Sequence, residues 1–224
     1  MNESVIKTLV VALIVCLLCS LVVSSVAVSL RDAQNLNKLN DQRIKVLQAA
    51  GIYDDTKSIE EQFNSITSKL IDFENNAIVD SFGDIDLSTY DPVVYSKKDG
   101  YFTPIAPNDD IAVIKNREKF GKIFILKDSE NNLSKVILPI RGYGLWGTLY
   151  GYISLSSDLN TIEGLEFYEH KETPGLGGEV DNQKWKNMWV GKKIYGLKND
   201  VQFQVIKGSV DNESQLAIYQ VDGL

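Results

Sequence analysis

The sequence predicts an α+β protein in which a single N-terminal transmembrane helix precedes a domain built on an antiparallel sheet with flanking helices. Three observations support this prediction. The N-terminal stretch is apolar and uncharged, residues 59–73 show helical spacing, and from residue 122 the pattern changes to the short runs and alternation of strands. We therefore expect an anchor at 1–31, a helical and loop segment at 32–120 that packs on the domain, and a sheet domain at 121–224.

The anchor is predicted from an uncharged stretch. No charged residue occurs from Thr8 to Leu30, and at about 1.5 Å per residue a helix of this length crosses a hydrocarbon core of about 30 Å. A cleaved signal peptide, with small residues at 25–27 as its cleavage site, is the alternative. The apolar run exceeds the usual signal-peptide length of about 7–15 residues, and no basic cluster precedes it, which favours a retained anchor. Basic residues flank both ends, so charge does not fix the orientation.

Helices are expected directly after the anchor. Apolar residues at 36–47 in a polar background predict a helix that continues from the anchor and ends at Gly51. A second helix is predicted over 59–73, where apolar residues follow the i, i+4, i+7 spacing of one face and Ser58 begins a capping box. Residues 81–107, which proline and glycine interrupt repeatedly, are predicted as a loop that can include short strands.

The last part of the chain carries the strand patterns. Short apolar or alternating runs bounded by glycine or polar turns predict strands at 122–127, 135–140, 148–154, 161–168 and 201–207. Residues 184–190, with two tryptophans four positions apart, predict one or two turns of helix packed on the sheet. Together these segments predict an antiparallel sheet behind a membrane-tethered helical segment.

Composition excludes several classes of function. The formal net charge is −7 and no basic patch is interleaved with aromatic residues, so no nucleic-acid partner is expected. Both cysteines lie inside the anchor and His170 is the only histidine. This chain alone therefore cannot supply the ligands of an iron–sulfur cluster, a cysteine zinc site or a multi-histidine metal site. No Gly-x-Ser-x-Gly motif is present. Redox chemistry here would require an organic cofactor.

Two glycine-rich turns present apolar side chains. Residues 141–147 place a leucine and a tryptophan among three glycines, and residues 172–179 place one leucine among a proline and three glycines. Such turns let the backbone approach a flat ligand closely. The spacing Gly142-x-Gly144-x-x-Gly147 matches the dinucleotide fingerprint, but the residues that follow are predicted as a strand instead of a helix, which excludes a Rossmann site. Two hairpin turns without a ligand are the alternative.

A flavin, with broad apolar faces and a polar edge, suits these turns. Backbone N–H groups and the side chains of Glu172 and Thr173 could bind the polar edge, while the apolar side chains cover a face. Lys207, at the end of a predicted strand, could neutralise a phosphate, although an ordinary strand-end lysine is equally expected. No catalytic residue or metal ligand is predicted. The predicted cofactor-binding residues are Leu145, Trp146, Glu172, Thr173, Gly175, Leu176, Gly177, Gly178 and Lys207.

Three motifs make the chain resemble a known family. Gly-Leu-Trp at 144–146, Glu-Thr-Pro-Gly-Leu-Gly-Gly-Glu at 172–179 and Val-Asp-Gly-Leu at 221–224 resemble the C subunit of the bacterial Na+-translocating NADH:quinone oxidoreductase. Leu-Arg-Asp at 30–32 and Val-Ile-Leu-Pro at 136–139 agree, so the resemblance covers essentially the whole chain. The G subunit of the Rnf-type ferredoxin:NAD oxidoreductase, which shares the flavin-binding domain, is a more distant resemblance.

The resemblance implies an electron-transfer subunit of a Na+-pumping NADH:ubiquinone reductase, a translocase in which this subunit has no substrate site of its own. Its FMN would be joined by a phosphoester bond to a threonine and would pass single electrons between a membrane-embedded iron–sulfur centre and the FMN of the B subunit. The implied partners are the membrane and the other subunits, especially B, D and E. The implied location is the bacterial inner membrane, with one span and the soluble domain on the periplasmic side.

One departure from the family concerns the covalent site. The attachment threonine closes a Ser-Gly-Ala-Thr motif that directly follows Asp-Gly-Leu or Asp-Gly-Ile, and is therefore expected just beyond Leu224. The C-terminal end of the FMN-binding domain at 121–224 is thus expected to be missing from this chain. The alternatives are an Rnf-type electron-transport subunit, or a membrane-tethered scaffold domain without a cofactor.

Overall fold

A computed structural model describes residues 3–81, 83, 86, 87 and 90–223. The chain divides into two compact units, Met1–Asp41 and Gln42–Leu224. Residues 82, 84, 85, 88 and 89 of the predicted loop, together with Leu224, lie outside the described residues. The remaining part of that loop contains one short strand, which the prediction allows, and one short helix, which the sequence pattern does not reveal.

Helix α1 spans Glu3–Ala50, and among the described residues it is the one helix long and apolar enough to cross a membrane. Hydroxyl groups in its apolar stretch donate to carbonyl oxygens three or four residues earlier, as lipid requires; these are Thr8, Ser20, Ser25 and Ser29.

Helix α1 ends in a Schellman motif. The N–H of Ile52 donates to Leu47 O and that of Gly51 to Gln48 O, both at 3.0 Å, with Gly51 at φ +71°. The predicted end at Gly51 is confirmed.

The domain is an antiparallel sheet with short helices around it. Its helices are α2 (Ile59–Phe63), α3 (Pro92–Tyr95) and α4 (Gln183–Asn187), with 3-10 segments at Gly177–Asp181 and Ala217–Tyr219. The strands are β1 (Ile66–Asp72), β2 (Ala77–Val79), β3 (Phe102–Pro104), β4 (Asn116–Glu118), β5 (Phe120–Lys127), β6 (Leu133–Tyr143), β7 (Thr148–Ser156), β8 (Ile162–Glu169), β9 (Gln204–Ile206) and β10 (Gln220–Asp222). Among the described residues, six strands form the main sheet in the order β2-β1-β5-β6-β7-β8.

The prediction of a helix over 59–73 is wrong beyond Phe63. Ser58 does cap α2, since its hydroxyl accepts from the N–H of Glu61, but β1 begins at Ile66 and pairs with β5. Ile66 and Leu70 are four residues apart, a spacing that lies on one face of a helix and also on one face of a strand. Both are buried on the sheet. The predicted strand at 201–207 shortens to β9, which pairs in parallel with β10.

The two faces of the main sheet bury separate apolar clusters. On one face, Val46 and Leu47 of α1, each no more than 1% exposed, pack with Phe124, Ile137 and Tyr152. A Cβ on Gly164 of β8 would lie 2.1 Å from the carbonyl oxygen of Ala49, so only glycine allows this approach of helix to strand.

The opposite cluster contains residues from β7 and β8 together with Val180, Trp185 and Val221. Tyr152 and Ile153, adjacent on β7, belong to opposite clusters, as the alternation of side chains along a strand requires.

Aromatic rings form a continuous row on the face that α1 covers. Phe63 meets Phe124 edge to face with centroids 6.0 Å apart, and Phe124 meets Tyr152 at 5.8 Å. Tyr168 stacks on Tyr152 at 5.1 Å and on Tyr150 at 6.0 Å. We call these five rings the aromatic row. Burial raises the pKa of Tyr168 well above its ordinary value, so this phenol stays neutral.

Candidate functional site

The two glycine-rich turns lie at the same end of the sheet. β6 ends at Tyr143 and β7 begins at Thr148, so residues 144–147 connect them, and the N–H of Gly144 donates to Gly147 O at 2.8 Å. Tyr150 of β7 pairs with Glu169, the last residue of β8. Residues 170–178 therefore leave the sheet beside the β6–β7 turn. β7 follows the glycines directly, which confirms that the fingerprint spacing is not a Rossmann site.

Glu172 connects the two turns. Its side chain is buried, the residue being 9% exposed, and its Oε1 accepts from the backbone N–H of Trp146 at 3.1 Å. A Cβ on Gly144 would lie 2.4 Å from Oε1, and one on Gly177 would lie 2.8 Å from Oε2. The carboxylate thus fills the space between one glycine of each turn. Sequence reasoning places Glu172 at the polar edge of a ligand and does not foresee this contact.

The turn at 172–178, which we call the downstream turn, is held in shape by hydrogen bonds between its own backbone groups. Thr173 O accepts from the N–H of Leu176 at 3.1 Å and from that of Gly178 at 2.9 Å. Gly175 has φ +76°, a conformation that favours glycine, and a Cβ there would meet nothing within 4 Å. A Cβ on Gly178 would lie 2.9 Å from Thr173 O. The turn backbone is therefore fixed on its inner side and open at Gly175.

His170 holds the start of this turn. Its Nδ1 accepts from the backbone N–H of Glu172 at 3.2 Å, and its Nε2 lies 2.8 Å from Oδ2 of Asp181. Because Nδ1 is an acceptor, the ring proton belongs on Nε2 and donates to Asp181. The ring thereby joins the exit of β8 to the end of the 3-10 segment. The sequence signal for this residue is only that it is the sole histidine and directly follows a strand.

The apolar side chains of both turns are exposed to solvent. Leu145 is 78% exposed, Trp146 63% and Leu176 70%, although the backbones beneath them are held by hydrogen bonds. Large apolar side chains grouped on fixed turns mark a binding surface. The open backbone at Gly175 lets a flat ring approach closely. These features fit the isoalloxazine ring of a flavin.

Lys207 lies at another part of the predicted site. It directly follows β9, and a Cβ on Gly223 would lie 3.7 Å from its Cα. The segment around Gly223 is itself fixed, because Trp185 Nε1 donates to Asp222 O at 2.9 Å and Val221 is 1% exposed. Val221 shares its apolar cluster with Val180, which follows the downstream turn in the 3-10 segment. Lys207 is therefore next to residues 220–223.

Comparison with known proteins defines the class of this domain. Residues 144–224 match the FMN-binding domain family, so the chain is a flavoprotein that carries FMN. The crystal structure of Shewanella oneidensis NqrC superposes with a TM-score of 0.74 at 30% sequence identity, and the match covers 84% of each chain. The C subunit of the Na(+)-translocating NADH-quinone reductase from Parabacteroides distasonis superposes with a TM-score of 0.62 at 28% identity, covering 87% of this chain and 83% of the other.

Sequence relatives make the assignment specific. The C subunit of the Na(+)-translocating NADH-quinone reductase from Pseudomonas aeruginosa is 44% identical over 227 residues, covering 100% of this chain and 85% of the relative. Its Vibrio alginolyticus counterpart is 37% identical over 224 residues, covering 100% and 84%. The chain belongs to this C-subunit family, which confirms the resemblance found in the sequence.

Family membership confirms three further predictions. The fold is an N-terminal apolar helix followed by an antiparallel-sheet domain, the cofactor is FMN, and the chain is an electron-transfer subunit of an oxidoreductase complex. The alternative of a scaffold domain without a cofactor is thereby set aside. When bound, FMN supplies one-electron and two-electron redox chemistry, while the protein supplies binding, orientation and electrostatics.

Proposed function

We propose that the chain carries single electrons on an FMN held between the β6–β7 turn and the turn at 172–178, within a reductase that couples the oxidation of NADH by quinone to sodium export. One observation carries this proposal: three exposed apolar side chains stand on two turns that a buried carboxylate joins. Such an arrangement is stable without a ligand and yet leaves apolar surface for one.

The predicted site residues other than Glu172 contact the ligand in this proposal. Leu145, Trp146 and Leu176 cover the ring, because they are apolar, exposed and grouped on the two turns. Thr173 and the backbone N–H groups of Gly175 and Gly177, which the hydrogen bonds of the turn described above do not use, bind the polar edge of the ring. The glycines of that turn are needed for its shape and for close approach of the ligand; they are Gly175, Gly177 and Gly178.

Lys207 serves the phosphate in this proposal. The covalent linkage to a threonine just beyond Leu224 stays a prediction, and the position of Lys207 beside Gly223 supports it. A lysine there would lie next to a phosphate esterified a few residues further along the chain. Its positive charge would offset the phosphoester charge.

The location and partners are proposals as well. The apolar helix and the family of membrane-complex subunits support a single span in the bacterial inner membrane. We place the domain on the periplasmic side, with the B, D and E subunits as neighbours and the B-subunit FMN as the electron-transfer partner. Ubiquinone is the proposed final acceptor of the whole complex.

The test is an intact mass of the natural subunit, purified in denaturant from cells that make the whole complex. We expect the polypeptide mass plus one phosphoester-linked FMN, together with flavin fluorescence in a denaturing gel. A subunit that keeps neither added mass nor fluorescence would contradict covalent attachment. If the native complex also lacked flavin bound to this subunit, the electron-carrier role would fail.

A further inference from the structure

Glu172 is the one acidic side chain of the downstream turn that points into the protein instead of towards the exposed apolar surface, as its 9% exposure shows. One of its oxygens accepts the N–H of Trp146, and its carboxylate occupies the space that a side chain at Gly144 or Gly177 would need. The accepting oxygen lies 3.1 Å from an N–H that belongs to the other turn, 26 residues away along the chain. The contact therefore holds two separate chain segments together.

The backbone of Glu172 is fixed from the other side. Its N–H donates to Nδ1 of His170, whose Nε2 pairs with Asp181 at the end of the 3-10 segment. Hydrogen bonds thus run without a break from Trp146 through Glu172 and His170 to Asp181. This chain of contacts joins the β6–β7 turn, the exit of β8 and the segment after the downstream turn.

The geometry does not favour direct binding of the flavin ring by the Glu172 carboxylate. Its Oε1 is engaged by Trp146 N, and the residue is buried while Leu145 and Leu176 are 78% and 70% exposed. A ring lying on the exposed side chains would meet the backbone of the turns before it met the carboxylate. The side chain acts on those turns.

We propose that Glu172 is a positioning residue: its carboxylate fixes the β6–β7 turn against the downstream turn and so sets how tightly the flavin ring is held. The inference rests on the proposed function, since it assigns the ring to these two turns. Without the carboxylate the N–H of Trp146 loses its acceptor, and the two turns are free to separate. The ring then becomes accessible to water.

Three substitutions of Glu172 distinguish the effect of side-chain length from the effect of charge. Glu172→Gln keeps the length of the side chain and an acceptor oxygen but removes the charge. Glu172→Asp keeps the charge but shortens the side chain by one methylene, so the carboxylate no longer reaches Trp146 N. Glu172→Ala removes both. Glu130→Gln is the matched control, because it removes the same charge from an exposed side chain in the β5–β6 turn.

The experiment measures two quantities on the full-length subunit in the intact complex. The first is hydrogen–deuterium exchange of the peptide that contains Trp146, and the second is the fluorescence and iodide quenching of the bound flavin. For a positioning residue we expect exchange about tenfold faster in Glu172→Asp and Glu172→Ala, with a several-fold rise in flavin fluorescence and quenching. Glu172→Gln and Glu130→Gln should stay within about twofold of the unmodified protein.

Other outcomes would overturn the proposal. If Glu172→Gln behaves like Glu172→Ala while Glu172→Asp resembles the unmodified protein, the charge acts and the positioning role is wrong. Unchanged exchange at Trp146 in Glu172→Asp would contradict the contact itself, and this conservative variant provides the test if Glu172→Ala does not fold. Faster exchange with an unchanged flavin signal would show instead that the ring lies elsewhere, so that the proposed function fails at this site.

Discussion

Strands β7 and β8 are joined at one end by the turn at 157–161, which we call the closed end, and lie beside the two glycine-rich turns at the other end, which we call the open end. Apolar residues have different roles at the two ends. At the closed end, Val46 and Leu47 of α1 are buried and Gly164 lies against the carbonyl of Ala49. At the open end, Trp146 and its neighbours on the two glycine-rich turns stand largely in solvent. Hydrogen bonds or close packing fix the backbone at both ends. Apolar side chains therefore stabilise the fold at the first end and remain available to a ligand at the second.

The largest effect is expected at the closed end from Gly164→Ala. The new methyl group would lie 2.1 Å from a backbone oxygen that cannot move alone, so α1 must shift away from β8. We expect a loss of about 3 kcal/mol or more in the free energy of unfolding, at the upper range for overpacked sites. Denaturant titration measures it. The control is Gly142→Ala, where the nearest atom is an ordinary 3.8 Å away; equal losses in both variants would contradict the comparison.

Two substitutions, one at each end, test whether the closed end determines stability and the open end determines flavin binding. Leu47→Ala should lower the free energy of unfolding by about 2–5 kcal/mol, because it leaves a cavity in a fully buried site. Leu176→Asp should change stability by less than about 0.5 kcal/mol, because the side chain is exposed. It should nevertheless weaken flavin retention or shift the flavin potential. Unchanged flavin occupancy and an unchanged spectrum in Leu176→Asp would count against the role assigned to this leucine.

The smallest effect concerns Asp158 in the β7–β8 turn, at the closed end. Hydrogen bonds from the hydroxyl and N–H of Thr161, and then from Ser156, hold the pKa of this carboxyl well below its ordinary value of 3.8. A lowered folded-state pKa stabilises the fold above about pH 4, and this contribution is lost as pH falls towards the folded-state value.

Asp158→Asn should therefore reduce stability at neutral pH by less than about 1 kcal/mol, since the carboxylate is exposed to solvent. Its stability should also fall less steeply than that of the unmodified protein between about pH 4 and pH 2. Thermal unfolding at a series of pH values measures both slopes. Parallel slopes would show that the turn does not depend on this carboxylate.

Much of the fold is predictable because one period dominates each segment. The uncharged stretch and the stop at Gly51 predict α1, and alternation with glycine turns predicts β5 to β8. The error at 59–73 has a physical cause, since residues four apart share a face in helices and in strands alike. Flanking strands decide the outcome there, because β1 fills the position between β2 and β5. Local spacing carries no information about such neighbours.

The site is predictable to the level of its turns but not of its contacts. Glycine content identifies both turns, and motif resemblance identifies the cofactor. The contact between Glu172 and Trp146 N spans 26 residues along the chain and depends on the pairing of β7 with β8. His170 likewise acts through Asp181, eleven residues away. Such contacts require the sheet to be formed, so the sequence alone does not show them.

The aromatic row and Trp146 give the domain two different optical signals. Rings held edge to face and stacked in an asymmetric array produce circular dichroism in the near ultraviolet, and four of the five rings of the row lie on sheet strands. Trp146, by contrast, stands on the exposed turn, where its emission can be quenched by an adjacent chromophore. Dichroism therefore includes a signal from the sheet, while the share of the tryptophan emission that comes from Trp146, one of three tryptophans, reports the occupancy of the turn.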